Sequence, residues 1–145
     1  MKKSLESGID MTHIVTSDEF VTLILATLAQ RGENVQLRDT ELDLSFQDAY
    51  EDLARRETDL GVSSNFTFFT DPLHGNSTKL RRAIVWARDR GFLEPEQGRR
   101  GLEYFVKMSP VLANRFLANS SISPDFLQQI VEERFPERSS DQSVT

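Results

Sequence analysis

Apolar positions along the chain fall into helical stripes separated by polar, glycine-marked breaks. Phe20, Leu23, Ile24 and Leu28 recur at helical spacing and predict a helix near 17–31. Thr16 and Glu19 have the spacing of a capping box, and Gly32 stands after Arg31 as a stop. Val21 and Leu25 widen the apolar face, which places this helix at the centre of the fold. Over 34–44, Val35, Leu37, Leu42 and Leu44 alternate with polar residues and predict a short strand or extended segment. Phe46, Ala49, Tyr50, Leu53 and Ala54 form one stripe and predict a second helix from Ser45 to about Glu57. Thr58 to Asn76 reads as loop, with Asn65–Phe69 as a short strand and Asp71-Pro72 and His74-Gly75 as turns.

The stretch 77–109 is the most legible. Ser77 or Asn76 caps a helix running from Thr78 to about Arg90, in which Leu80, Ala83, Ile84 and Ala87 repeat at i, i+3, i+4 and i+7. Gly91 ends it, and Phe92 stands where an apolar contact usually follows such a stop. Phe92-Leu93-Glu94, a turn over 95–101 and a second strand from Leu102 to Met108 predict a hairpin with Arg99 and Arg100 at its tip. In that second strand Leu102, Tyr104, Val106 and Met108 share one face, and Glu103, Phe105 and Lys107 the other. Ser109-Pro110 and Ser123-Pro124 each open a further helix, with proline at the first helical position. Val111, Leu112, Phe116 and Leu117 give the first of these its apolar faces; Phe126, Leu127, Ile130, Val131 and Phe135 give the second a strong stripe that Pro136 ends. The expected fold is α+β and mostly α, one domain over 16–136 between a loosely held N-terminus (1–15) and a polar, disordered tail (137–145).

Composition narrows the chemistry. A chain of 145 residues is about one domain, large enough to bury roughly two-thirds of its unfolded surface. It has no cysteine, which excludes disulfides, thiolate catalysis and cysteine-ligated metals. Two histidines, His13 and His74, exclude a multi-histidine metal site. No apolar run approaches membrane-spanning length, and Met1-Lys2-Lys3-Ser4 is followed by no apolar stretch of the secretory kind, so the expected location is the cytoplasm. The N-x-S/T triplets at Asn65, Asn76 and Asn119 are then chance matches.

Residues 78–94, Thr-Lys-Leu-Arg-Arg-Ala-Ile-Val-Trp-Ala-Arg-Asp-Arg-Gly-Phe-Leu-Glu, and 98–110, Gly-Arg-Arg-Gly-Leu-Glu-Tyr-Phe-Val-Lys-Met-Ser-Pro, resemble the recognition helix and wing of the winged helix-turn-helix superfamily. In that superfamily the recognition helix ends in a glycine flanked by charge and followed by two apolar residues. A charged wing and a strand ending in Ser/Thr-Pro come next. The resemblance implies a winged-helix domain carrying extra C-terminal helices, with 78–90 as reader and 95–101 as wing. The chain departs from the pattern in placing some twenty residues, 58–77, between its second and third long helices.

Charge sharpens the expectation. Lysine and arginine number 17 against 23 acids, a net charge of −6, so general attraction to nucleic acid or anionic lipid is not expected. Yet 79–107 holds Lys79, Arg81, Arg82, Arg88, Arg90, Arg99, Arg100 and Lys107 against four acids, which gives +4 locally. Segment 33–59 is −6. The helix side opposite Leu80, Ile84 and Ala87 carries Thr78, Arg81, Arg82, Val85, Arg88 and Asp89, with Lys79 beside them. Double-stranded DNA suits such a face: arginine forks onto guanine, Val85 meets a thymine methyl, and Arg99 and Arg100 hold phosphate or enter a minor groove. Those eight residues, Thr78, Lys79, Arg81, Arg82, Val85, Arg88, Arg99 and Arg100, are the expected DNA contacts. Solvated surface arginines are the plain alternative.

Two features point to protein partners. Trp86 is either a core tryptophan or an exposed anchor. The Phe126, Leu127, Ile130 and Phe135 stripe either closes the domain's own core or pairs with a homodimer mate or a larger complex. Catalytic signals are weak. His74 three residues after Asp71 has no nucleophile tied to it. Asp39, Glu41 and Asp43, alternating as on a strand face, could hold Mg²⁺ or Ca²⁺, but they fit a solvated polar face as well and match no EF-hand loop. The expectation is a small cytoplasmic DNA-binding protein, a transcriptional regulator in kind, with a non-catalytic adaptor subunit as the alternative. No enzyme activity, cofactor or metal is expected.

Overall fold

The computed structural model describes residues 13–32, 35–68, 78–99 and 101–135. In chain order the elements are β1 (His13–Val15), α1 (Ser17–Arg31), β2 (Gln36–Arg38), α2 (Asp39–Arg55), α3 (Glu57–Leu60), β3 (Val62–Ser64), α4 (Thr78–Asp89), β4 (Leu93–Gly98), β5 (Gly101–Val106), α5 (Pro110–Ala118) and α6 (Pro124–Arg134). The fold is α+β and mostly α.

α1 is the axis. Every residue from Phe20 to Ala29 is buried, because α4, α5 and α6 all pack around it. A helix buried on all sides needs its polar groups satisfied internally. Thr22 and Thr27 do this by giving their hydroxyls to the carbonyls of Asp18 and Leu23, each at 2.8 Å. The expected capping box is half formed. Thr16 Oγ1 accepts from the Glu19 N–H at 3.1 Å, but the Glu19 carboxylate turns to His13 Nε2 and the Ser121 hydroxyl, both at 3.4 Å.

The larger sheet is antiparallel in the order β2-β5-β4, with Leu37 and Pro95 flanking Tyr104 across the ladders. Pro95 is tolerated because β4 is an edge strand. The first strand runs on to Gly98 instead of ending at Glu94, so most of the expected 95–101 turn is ladder, while the second strand ends at Val106 rather than Met108; Gly98 pairs with Gly101, which adopts φ +114°. The smaller sheet pairs β1 with β3 in parallel, His13 opposite Val62 and Val15 opposite Ser64. Residues 13–15, expected to be loose, are therefore tied down, and Val15 is fully buried. Residues 1–12 and the expected tail 137–145 lie outside the described residues.

Two further expectations are corrected. The second helix starts at Asp39, not Ser45, so Leu42 and Leu44 are helical; Leu42 faces the core and Leu44 is 63% exposed. The stretch after α2 is not all loop. It forms α3 and β3, and then sends Phe66 and Phe68 into the core. Phe66 and Phe68 lie 4.8 Å apart, and Phe68 meets the edge of Phe46 at 6.4 Å. Residues 65–68 form no ladder; the strand of this region is 62–64.

α6 closes the core. Phe126, Leu127, Ile130 and Phe135 are buried, and Phe135 packs edge-on against Phe46 at 4.9 Å. Arg31 of α1 donates to the carbonyls of Phe135 (2.6 Å) and Val131 (3.1 Å), which stabilises the carbonyl end of α6. The partner-docking expectation for this stripe is corrected: these side chains are taken up inside their own domain.

Phe68→Ala tests the packing of the 65–68 segment. Emptying that site is expected to cost about 3–5 kcal/mol in urea unfolding, as for other buried phenylalanines. A change within about 0.5 kcal/mol, the range of surface substitutions, would contradict it.

Candidate nucleic-acid interface

α4 has two faces of opposite character. Leu80, Ala83, Ile84 and Ala87 are buried against the domain. Its end is a Schellman motif: the Phe92 N–H reaches the Ala87 carbonyl at 3.0 Å and the Gly91 N–H the Arg88 carbonyl at 2.9 Å. Gly91 adopts φ +83°, a left-handed conformation that a side chain would strain. Phe92 is carried back into the core as expected.

On the outer face Thr78, Lys79, Arg82, Val85, Arg88 and Asp89 are exposed. Val85 is 44% exposed, one of four large apolar side chains exposed among the described residues. Among the described residues no carboxylate forms an ion pair with Lys79 or Arg82. Among the described residues the one carboxylate paired with Arg88 is its chain neighbour Asp89, at 3.8 Å. Arg99 is exposed at the hairpin tip, and Arg100 lies outside the described residues.

Arg81 leaves this set. Its two terminal nitrogens pair with the carboxylates of Asp39 and Asp43, and Nη2 also donates to the Asp39 carbonyl at 3.2 Å. The reason lies in α2. Asp39 and Asp43 are one helical turn apart, so both carboxylates project from one side of the first turns, where the helix dipole favours negative charge. Asp43 is buried and Arg81 is half-buried. Burial works against the charged guanidinium, yet the hydrogen bonds it donates to Asp43 and Asp39 outweigh it and hold the Arg81 pKa above the ordinary arginine value. Arg81 Nε is buried with no hydrogen-bond partner among the described residues. Arg81 is therefore corrected from a base reader to an internal clamp.

Tyr104 of β5 joins the cluster. Burial raises its hydroxyl pKa above 10.0, the negative charge of Asp39 raises it further, and Arg81 and Arg88 pull against that rise. The α2 start, the α4 face and the sheet thus meet at one polar knot. Asp39 and Asp43, weighed from sequence as ion ligands on a strand, are the partners that sequence reasoning missed. Their i, i+4 spacing was the available signal. Among the described residues no group of side chains is arranged to hold a metal. His74 and Asp71 lie outside them.

Trp86 is half-buried. Its ring meets the edge of Phe92 at 6.1 Å, and the Arg90 guanidinium lies 4.5 Å above it. Core packing and partial exposure are combined in one side chain. No helix among the described residues is long and apolar enough to cross a membrane. In comparisons with known proteins, no family model, curated protein or solved structure matches the chain.

The chain has two tyrosines, and both are held protonated beyond the usual range: Tyr104 as above, and Tyr50 by burial with added repulsion from Glu57 and Glu51. A phenol whose folded pKa is raised favours folding fully below its unfolded value and loses that advantage as pH climbs toward the folded one. Ultraviolet titration is expected to show tyrosinate appearing only above pH 10, with stability falling as pH rises past 10. Ionisation of both tyrosines at the free-phenol value in the folded protein would contradict this environment.

Proposed function

We propose that this chain is a small winged-helix DNA-binding protein of the cytoplasm, acting as a transcriptional regulator, with α4 as the reading helix and the β4–β5 turn as the wing. The observation that carries the reading is the outer face of α4. It presents Lys79, Arg82 and Arg88 around an exposed Val85 while its inner face is locked to the domain. Arginine and lysine on such a face meet phosphate and guanine, and a helix fits the major groove. The order of the longer elements, α1, β2, α2, α4 and the β4–β5 hairpin, supports it, with the short α3 and β3 inserted between α2 and α4, as does a sheet in which the strand after α1 pairs with the second hairpin strand. The 58–77 segment does not oppose it. That segment's described part sends Phe66 and Phe68 into the core, Phe68 against Phe46 of α2, and Arg81 of α4 reaches Asp39 and Asp43 of α2.

The net charge stays at −6, but several acids are held in internal pairs. Asp39 and Asp43 are engaged by Arg81, and Asp52 is held by both nitrogens of the Arg134 fork at 2.8 and 2.9 Å. These pairs engage three of the nine acids of segment 33–59, together with two arginines, so the reading rests on where the cations stand and not on the net charge.

A non-catalytic winged-helix adaptor subunit, working as a homodimer or in a larger complex, is the second reading. It draws on Trp86 with Arg90 stacked on it, since tryptophan and arginine dominate interface hot spots. The α6 stripe no longer supports it, being interior.

Duplex binding followed by mobility shift separates the two. Binding is expected at low salt and to weaken steeply as salt rises, with Arg99→Ala lowering the logarithmic salt slope by about one. Arg82→Ala is expected to cost about 1–3 kcal/mol on a preferred site. Absence of any shift at low salt would leave the adaptor reading in place of this one.

A further inference from the structure

We infer that Val85 is the specificity-determining residue of α4 and that it selects duplexes carrying a thymine, through the 5-methyl group in the major groove. The inference rests on the DNA-binding reading above and deepens it.

Four observations carry it. Val85 is 44% exposed, whereas Ala83, Ile84 and Ala87 around it in sequence are buried, so its side chain is turned away from the core. It stands three residues from Arg82 and three from Arg88, on the same outer face. The arginine one turn before it, Arg81, is withdrawn by Asp39 and Asp43 and contributes no charge to the centre of that face. Among the described residues the other large exposed apolar side chains, Ile14, Leu44 and Val111, lie on different elements. A single exposed valine is ordinary on a protein surface, but at the middle of a cationic face it has one matching apolar feature on DNA, the thymine methyl.

Geometry sets the register. Arg82 and Arg88 are six residues apart, about 9 Å along the helix axis. With base pairs about 3.4 Å apart, the two guanidinium groups straddle between two and three base steps. Val85 falls over the middle of that span. The preferred site therefore has a thymine between two arginine-contacted positions.

The test is selection of the full chain on a random duplex pool at low salt, followed by replacing each enriched thymine with deoxyuridine, which removes only the methyl. The wild-type chain is expected to lose about fourfold in affinity at one thymine, the worth of one buried methyl. Val85→Ala is expected to bind the thymine and uracil duplexes equally well, and Val85→Ile to keep the preference; thermal melting of both variants reports their folding. A wild-type chain that binds the two duplexes equally would overturn the inference and leave DNA binding standing. A preference that survives in folded Val85→Ala would overturn it too, because another group would then be reading the methyl. Failure to bind any duplex would overturn the inference together with the reading beneath it.

Discussion

The guanidinium of Arg81 between the carboxylates of Asp39 and Asp43 is the contact on which the arrangement of α4 depends. Apolar packing alone leaves a helix some freedom to roll and slide over its neighbours, because the hydrophobic effect is non-directional. A forked cation gripping two carboxylates one turn apart has far less freedom. Such a half-buried cluster contributes little net stability, since desolvation offsets most of the Coulomb gain. Its larger effect is geometric: it fixes the rotation of α4 about its own axis and its height against the start of α2. Tyr104 brings the sheet to the same point. What α4 presents outward follows from that fixed rotation.

The clamp also divides the arginines into two classes. Arg81, Arg31 and Arg134 turn inward, to α2 carboxylates or to the carbonyl end of α6. Arg82, Arg88 and Arg99 stay on the surface. Formal net charge hides this division. An acidic chain can still carry a cationic working face if its charges are separated in space; Asp39, Asp43 and Asp52 pair with Arg81 and Arg134 away from Arg82, Arg88 and Arg99.

Local periodicity carried the parts of the fold whose neighbours are close in sequence. α1 and α4, with the Thr16 cap and the Gly91 stop, and the hairpin with its two faces, were legible because stripe, cap and turn are all local. Residues 39–44 were misleading because Leu42 and Leu44 also fit an alternating pattern, although Leu44 ends in water. Phe66 and Phe68 alternate with Thr67 as a strand would, and the inward positions are right, but the ladder lies at 62–64. Its partner is β1, nearly fifty residues earlier in the chain, and no local pattern announces such a pairing. The α6 stripe could not be assigned to core or partner from sequence, because the same amphipathic pattern serves both. Within the candidate site, the outer residues Thr78, Lys79, Arg82, Val85 and Arg88 were legible from the helical wheel. Arg81 was not, since its partners come from another helix whose start was misplaced by six residues.

A double-mutant cycle on Arg81→Met and Asp43→Asn, followed by urea unfolding, tests the clamp most directly. Each single change removes one side of the Arg81–Asp43 pair; Asp39 loses its cation in Arg81→Met and in the double variant alike, so its contribution cancels in the cycle. The cycle is expected to give a coupling of about 1–3 kcal/mol, with the double variant less destabilised than the two singles together. Additivity within about 0.3–0.5 kcal/mol would show that the two residues do not act on each other, and the orientation of α4 would then need another cause.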